Sequence, residues 1–248
     1  MLKEIIKSFT RKFGLSINSL DTIRYLESKD RLPPPNIDGI TFALSILFST
    51  GRAEGLNFLQ VGACDGKSGD PIFEFAKLGV MNSVFLEPVP QTFKKLQETY
   101  KGLPNAKFLN CAMGMEDHIS KFYTIEGLDA CQIASFEKSF VEKWAPDFKQ
   151  HAVIQEIDVD VVSYKSLSLK LAVEQFHIVQ IDVEGRDDEI VKSILNSGEK
   201  LPLIINFESI HITKQKAADF FLIIDKDYFY FHDKWNTFAI RKDFREFL

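Results

Sequence analysis

Residues 57–62 (NFLQVG), 82–87 (NSVFLE), 106–111 (AKFLNC), 177–183 (HIVQIDV) and 203–208 (LIINFE) are short runs rich in β-branched and aromatic side chains. Several are apolar at consecutive positions, the pattern of a strand covered on both faces. Between most of them, apolar residues recur every three or four positions, over 70–79, 90–101, 164–175, 186–197 and 213–224. That spacing predicts helices. Strand alternating with helix predicts an α/β fold built on an open, doubly wound, mostly parallel sheet. The tail DYFYFHDKWNTFAIRKDF holds two strand-like stretches with only a turn between them, which predicts an antiparallel hairpin at one edge of the sheet.

Two regions depart from this rhythm. Residues 113–162 contain strand-like ISKFYTIEG and VIQEIDVDVV, with LDACQIASFEKSFVEKWAPDFKQ between them. Phe136, Phe140, Trp144 and Phe148 are spaced by four there, so the insertion reads as an ordered helical lid. At the other end, Leu2, Ile5, Ile6, Phe9 and Phe13 share one helical face, with Lys3, Lys7 and Lys12 off it. Such a helix packs on its own domain or on a dimer mate, or makes a weak contact with an acidic membrane surface. RLPPPNIDG at 31–39 cannot continue a helix and reads as a stiff connector, with Asp38 placed to cap a buried helix over 39–50. The expected division is therefore a helical extension over 1–52 and a main domain over 53–248.

Composition narrows the partners. The net charge is −5, so no basic footprint points to nucleic acid. Cys64, Cys111 and Cys131 fit no metal-ligand spacing, and so sparse a count reads as reduced thiols in a cytoplasmic protein. No apolar run approaches the ~20 residues that span a bilayer. Charges interrupt the N-terminal stretch before a signal-peptide core forms.

The chemistry starts at FLQVGACDGKSGD, residues 58–70. In an open α/β sheet, ligands sit beyond the carboxyl ends of the strands, where strand order reverses. Gly62 lets the backbone turn there and approach a ligand. The spacing from Gly62 to Gly66 is not the G-x-G-x-x-G of a dinucleotide site. Asp65 in the turn is unwelcome beside a pyrophosphate, but it suits a ligand with an amino group and positive charge, such as S-adenosylmethionine. Glu87 closes the next strand, with Pro88 fixing the turn behind it. An acceptor-only carboxylate at that tip can serve two ribose hydroxyls. Asn110, Cys111, Ala112 and Met113 end the third strand, where an adenine edge would fall.

LQVGACDGKSGD, VFLEPVPQTFKKLQETY, NCAMG, IVQIDVEGRDDEIVKSIL and LIINFES, taken in this order, resemble the successive blocks of the FkbM-type methyltransferases over residues 57–242. The resemblance implies the class I methyltransferase (Rossmann-like) sheet, ordered 3-2-1-4-5-7-6 with an antiparallel seventh strand. It also implies S-adenosyl-L-methionine as cofactor and O-methylation, often of a sugar or natural-product hydroxyl. Gly62, Ala63 and Gly66 then match the cofactor loop and Glu87 the ribose acid. Asp182, Glu184 and Glu208 match the acidic signatures of the fourth and fifth strands. Two positions depart from the family: Gln60 stands where an acid is usual, and Gln180 where a lysine is common.

Asp182 and Glu184 project to one side of a strand end, and Asn206 and Glu208 repeat that spacing on the neighbouring strand, with His211 just beyond. One carboxylate or His211 would act as base toward an acceptor hydroxyl. Glu184 also suits a helix cap, and His211 a plain helix-entry position. Oxygen ligands of this kind could take a divalent metal, but no ligand spacing indicates one. Under the lid, Gln132 and Ser135 are the polar residues expected to touch a small-molecule or glycan acceptor. Two other readings compete. One is a cofactor-fold binding protein without turnover, supported by Gln60 and Gln180. The other is a nicotinamide-dependent oxidoreductase, which the missing G-x-G-x-x-G and Asp65 disfavour.

Overall fold

The computed structural model describes residues 38–126, 133–148, 152–233 and 235–247. The amphipathic stretch at 2–13, the proline connector up to Ile37 and Gln132 lie outside the described residues. The description opens on helix α1, Gly39–Ser49, whose N-cap is Asp38 as its position predicts. The Asp38 side chain accepts from the backbone N–H groups of Ile40 and Thr41. A Cβ on Gly39 would lie 2.7–2.8 Å from Phe238 and Phe231, so this helix start is pressed onto the C-terminal hairpin.

The central sheet has seven strands. They are β1 (Asn57–Val61), β2 (Asn82–Leu86), β3 (Ala106–Leu109), β7 (Ile178–Ile181), β8 (Ile204–Glu208), β9 (Tyr228–His232) and β10 (Asn236–Arg241). Their order is β3-β2-β1-β7-β8-β10-β9. All neighbours are parallel except β10, which runs antiparallel to both β8 and β9. This is the order the resemblance implied, with the seventh strand antiparallel. The direction changes at β1, which leads outward to β2 and β3 on one side while β7 and β8 lie on the other. A crevice must open at such a switch, because the loops after β1 and β7 depart toward opposite faces.

Alternate side chains of each strand enter two different cores. Leu59, Val61, Val179, Ile181, Ile205 and Phe207 form one face with Tyr164, Ile190, Ile194 and Phe220. These come from the helices α5 (Tyr164–Leu171), α6 (Asp187–Leu195) and α7 (Lys214–Ile224). On the opposite face Phe85 stacks on Tyr100 with centroids 4.6 Å apart, beyond the end of helix α3 (Pro90–Thr99). That face also carries a polar row, for Gln60, Gln180 and Asn206 are in register on β1, β7 and β8 and all three are buried. Asn206 Nδ2 donates to Gln180 Oε1, and Gln60 Nε2 donates to Asp70 Oδ2.

Helix α2 is shorter than the 70–79 pattern predicts, covering only Phe73–Ala76. Asp70 Oδ1 accepts from the Ile72 N–H, and Gly69 and Gly79 take left-handed backbone on either side, so turns use the flanking residues. The 113–162 insertion contains more order than a lid alone. Strands β4 (Ala112–Gly114), β5 (His118–Ile125) and β6 (Ile154–Ser163) form a second sheet in the order β4-β6-β5. Helix α4, Lys138–Phe148, packs Val141 and Ala145 against Ile125 and Ile133. A four-residue helix α8, Phe244–Phe247, ends the described chain.

Cys111 is a free buried thiol, and Cys131 lies outside the described residues. Among the described residues no helix is long and apolar enough to cross a membrane.

Phe207 is fully buried at the centre of the larger core, in edge-to-face contact with Phe220. Phe207→Ala should destabilise the fold by ~3–5 kcal/mol. Leu222→Ala, at a position 67% exposed, should stay within ~0.5 kcal/mol. Urea unfolding midpoints of the two variants check this contrast.

Candidate functional site

The crevice at the switch point begins with a backbone contact. The Gly62 and Ala63 N–H groups both donate to Leu86 O, and Asp182 N donates to Val61 O, so the three-strand ladder runs to the very ends of β1, β2 and β7. Gly62 has φ +80°, and a Cβ there would lie 1.9 Å from the Asp182 carbonyl oxygen. Only glycine fits. The next residues turn away sharply, with Cys64 at φ +51° and, on the other side, Glu184 at φ +56°. Non-glycine residues in this region are strained, and such strain gathers at functional sites.

The crevice is lined in part by Gly62, Glu87, Pro88, Ala112, Asp182 and Glu184. Residues named from the sequence for cofactor and for chemistry therefore share one cavity. Glu87 lies at its base, 3% exposed. Its Oε2 accepts from Cys64 N at 3.0 Å and its Oε1 from Val89 N at 2.8 Å. Each oxygen keeps a lone pair for one further donor, which is what a ribose diol offers. Burial pushes its carboxyl up to about 7, against the pull of the Val89 and Cys64 N–H groups.

Other sequence candidates hold this arrangement from behind. Asn110 Nδ2 donates to the carbonyls of Glu87 and Pro88 at 2.8 and 2.9 Å, bracing the turn. Ala63 is buried. A Cβ on Gly66 would meet Tyr100 and Leu96 rather than the crevice. Asp65 turns its carboxylate into its own loop, accepting from Lys67 N, Ser68 N and Ser68 Oγ. The carboxylate beside Gln60 comes instead from Asp70, at 3.1 Å.

The fourth- and fifth-strand acids converge. His211 Nε2 lies 3.3 Å from Glu208 Oε2 and 3.9 Å from Glu184 Oε2. Burial pushes Asp182 up to about 7, reinforced by the Glu208 charge. Burial likewise pushes Glu184 up to about 9, with Asp182 and Glu208 adding to it. Burial raises Glu208 and lowers His211, the latter against the Asp182 charge.

The insertion reaches this cluster directly. The Phe140 ring meets His211 at 87° with centroids 5.5 Å apart. Ser135 is buried, its backbone paired with Tyr123, and its Oγ donates to Glu184 O at 3.5 Å. Ser135 thus ties the lid to the loop after β7. Phe122, Phe136 and Arg186 also line the crevice, with Phe136 edge-on to Phe122 and under the Arg186 guanidinium at 4.8 Å. Phe122 and Arg186 were not singled out from the sequence. The alternation in ISKFYTIEG carried the only signal for Phe122, and none marked Arg186.

Residues 60–245 match the model of the methyltransferase FkbM domain. No curated protein matches the sequence. Similar solved structures include the methyltransferase FkbM from Methylobacillus flagellatus KT, at 13% identity and a TM-score of 0.46 over 75% of this chain and 43% of that one. The chain thus spans less than half that relative's length. Another is the precorrin-6y C5,15-methyltransferase of Geobacter metallireducens GS-15, at 10% identity and a TM-score of 0.39 over 84% of this chain and 91% of that one. A third is a SAM-dependent methyltransferase from Geobacter sulfurreducens in complex with S-adenosyl-L-homocysteine, at 10% identity and a TM-score of 0.34 over 78% and 57%. The family match covers three quarters of the sequence, and the chain belongs to the FkbM-domain methyltransferases. The residues present fit S-adenosylmethionine, the cofactor expected of a methyltransferase of this family: a loop cleared of side chain at Gly62 and a buried carboxylate at Glu87 with capacity for a ribose diol.

Two outcomes follow from the Gly62 contact and the Glu87 environment. Gly62→Ala should abolish S-adenosylhomocysteine binding in calorimetry and lower the unfolding midpoint, since its Cβ has no room beside Asp182. Ribose hydroxyls need the ionised form of Glu87, so affinity for S-adenosylhomocysteine should be greatest above the Glu87 pKa of about 7 and fall below it. The decline should approach about tenfold per pH unit, and Glu87→Gln should flatten it.

Proposed function

We propose that the chain is an O-methyltransferase acting on a hydroxyl of a sugar, in a polysaccharide, a glycolipid or a glycosylated natural product. The reading rests on the placement of Asp182. It lines the crevice that holds Gly62 and Glu87 and stands beside the Glu184, Glu208 and His211 cluster. A wall with so many acceptors suits a polyhydroxylated acceptor better than an anionic one, because each carboxylate can take a hydroxyl proton in a hydrogen bond.

The bound cofactor supplies an electrophilic methyl group on a cationic sulfur. Glu87 would hold the ribose and Gly62 would admit the methionine portion, so this chain would fix where that methyl points. Asp182 is placed to accept the proton of the acceptor hydroxyl. The lid supplies water exclusion, through Phe140 on His211 and Ser135 on the Glu184 carbonyl. The proposed setting is the cytoplasm, favoured by the sparse cysteine usage.

Asp182→Asn should lower kcat by ~10²-fold or more while leaving S-adenosylhomocysteine affinity within a few-fold. The reaction itself is tested with a methyl-labelled cofactor and a panel of glycans and glycolipids. Label recovered in an O-methyl sugar after hydrolysis supports the proposal, and label found only on nitrogen or on carbon contradicts it.

A further inference from the structure

Glu184, Glu208 and His211 each offer one ligand atom, and the three atoms lie within 4.8 Å of one another. They come from three separate places in the chain: the strained turn after β7, the last residue of β8, and the loop before α7. Facial ligands of a transition metal at ~2.1 Å bond length sit ~3 Å apart. The present separations of 3.3 and 3.9 Å from His211 Nε2 need only small side-chain movements to reach that.

The surroundings add an independent observation. Asp187 and Asn206 are each 2% exposed, and both leave an oxygen without a hydrogen-bond partner, as Glu208 does at Oε2. Asp187 abuts the cluster, its Oδ1 accepting from Glu208 N at 3.2 Å. Asn206 lies two residues before Glu208, on the same face of β8. Among the described residues, no lysine or arginine pairs with Asp182, Glu184, Asp187 or Glu208. Four carboxylates and three orphaned acceptors, with His211 as the only basic partner among the described residues, are a costly arrangement. A cation resolves it, and its bound water can donate to the orphaned oxygens.

We propose that Glu184, Glu208 and His211 form a binding site for one divalent transition-metal ion, with remaining positions open to water and to the acceptor's hydroxyl. Two carboxylates and one imidazole favour Mn²⁺, Fe²⁺ or Zn²⁺ over Mg²⁺ or Ca²⁺. The binding site stands on its own geometry; its use rests on the methyl-transfer reading. There the metal binds the acceptor oxygen, acidifies its hydroxyl and leaves Asp182 to take the proton.

The test is titration of chelator-stripped full-length protein with Mn²⁺, followed by calorimetry and by electron paramagnetic resonance. One saturable site is expected, with affinity for Mg²⁺ at least tenfold weaker. His211→Ala and Glu208→Gln should each weaken Mn²⁺ binding at least tenfold, and Glu98→Gln, on the exposed side of α3, should not. Circular dichroism verifies that the variants fold, and the wild-type titration decides the matter without them. The absence of saturable binding, more than one equivalent site, or unchanged affinity in folded His211→Ala would overturn the proposal. Titration of the stripped protein with S-adenosylhomocysteine separates the two readings. If that ligand binds and Mn²⁺ does not, the metal inference alone fails. If Mn²⁺ binds and that ligand does not, the metal site stands and the methyl-transfer reading fails.

Discussion

The site depends on a close approach between two backbones. Where β1 ends, the Gly62 Cα faces the carbonyl of Asp182 with no space for even one more carbon. The hydrogen-bond ladder therefore runs unbroken to the rim, from Leu86 to Gly62 and from Val61 to Asp182. That ladder brings the acid that follows β2 and the acid that follows β7 to the two sides of one cavity. A side chain at position 62 would wedge β7 away and part the two halves. The left-handed residues Cys64 and Glu184 lie just past this contact, where each chain must turn out of the sheet at once.

The acids on the two sides are treated differently. Glu87 receives a backbone N–H on each oxygen, so its carboxyl group is fixed in orientation before any ligand arrives. Asp182, Glu184 and Glu208 are crowded together, and Glu208 Oε2 has no hydrogen-bond partner. A group that positions a ligand gains from rigid, satisfied bonding. A group that must accept a proton or a cation gains from being left short of donors. The division between holding and chemistry thus follows from where backbone N–H groups happen to point.

Much of this could be read from the sequence, and the rest could not for specific reasons. Strand and helix periods gave the alternation, and Gly62 and Glu87-Pro88 mark strand ends by local chemistry alone. The pairing of β4 with β6 could not be foreseen, because it joins segments some fifty residues apart and no local pattern encodes it. Asp65 reads as a ligand contact because it stands in the loop, yet its carboxylate closes a turn onto Lys67 and Ser68, the commonest use of an aspartate there. Gly66 reads as a second cradle glycine, and its constraint is the Tyr100 ring. Asp70 beside Gln60 is the converse case: the carboxylate missing from one position is restored by a turn ten residues later. Convergence of Glu184, Glu208 and His211 was legible only once β7 and β8 were taken as neighbours, which the resemblance supplied.

The central claim is that this crevice, with Glu87 at its base, holds the sulfonium nucleotide. A crystal structure of the protein with S-adenosylhomocysteine bound tests it most directly. The account predicts both ribose hydroxyls within hydrogen-bond distance of the Glu87 carboxylate and the sulfur on the Asp182 side of Gly62. A ligand lodged elsewhere, or seated there with its ribose turned away from Glu87, would contradict it.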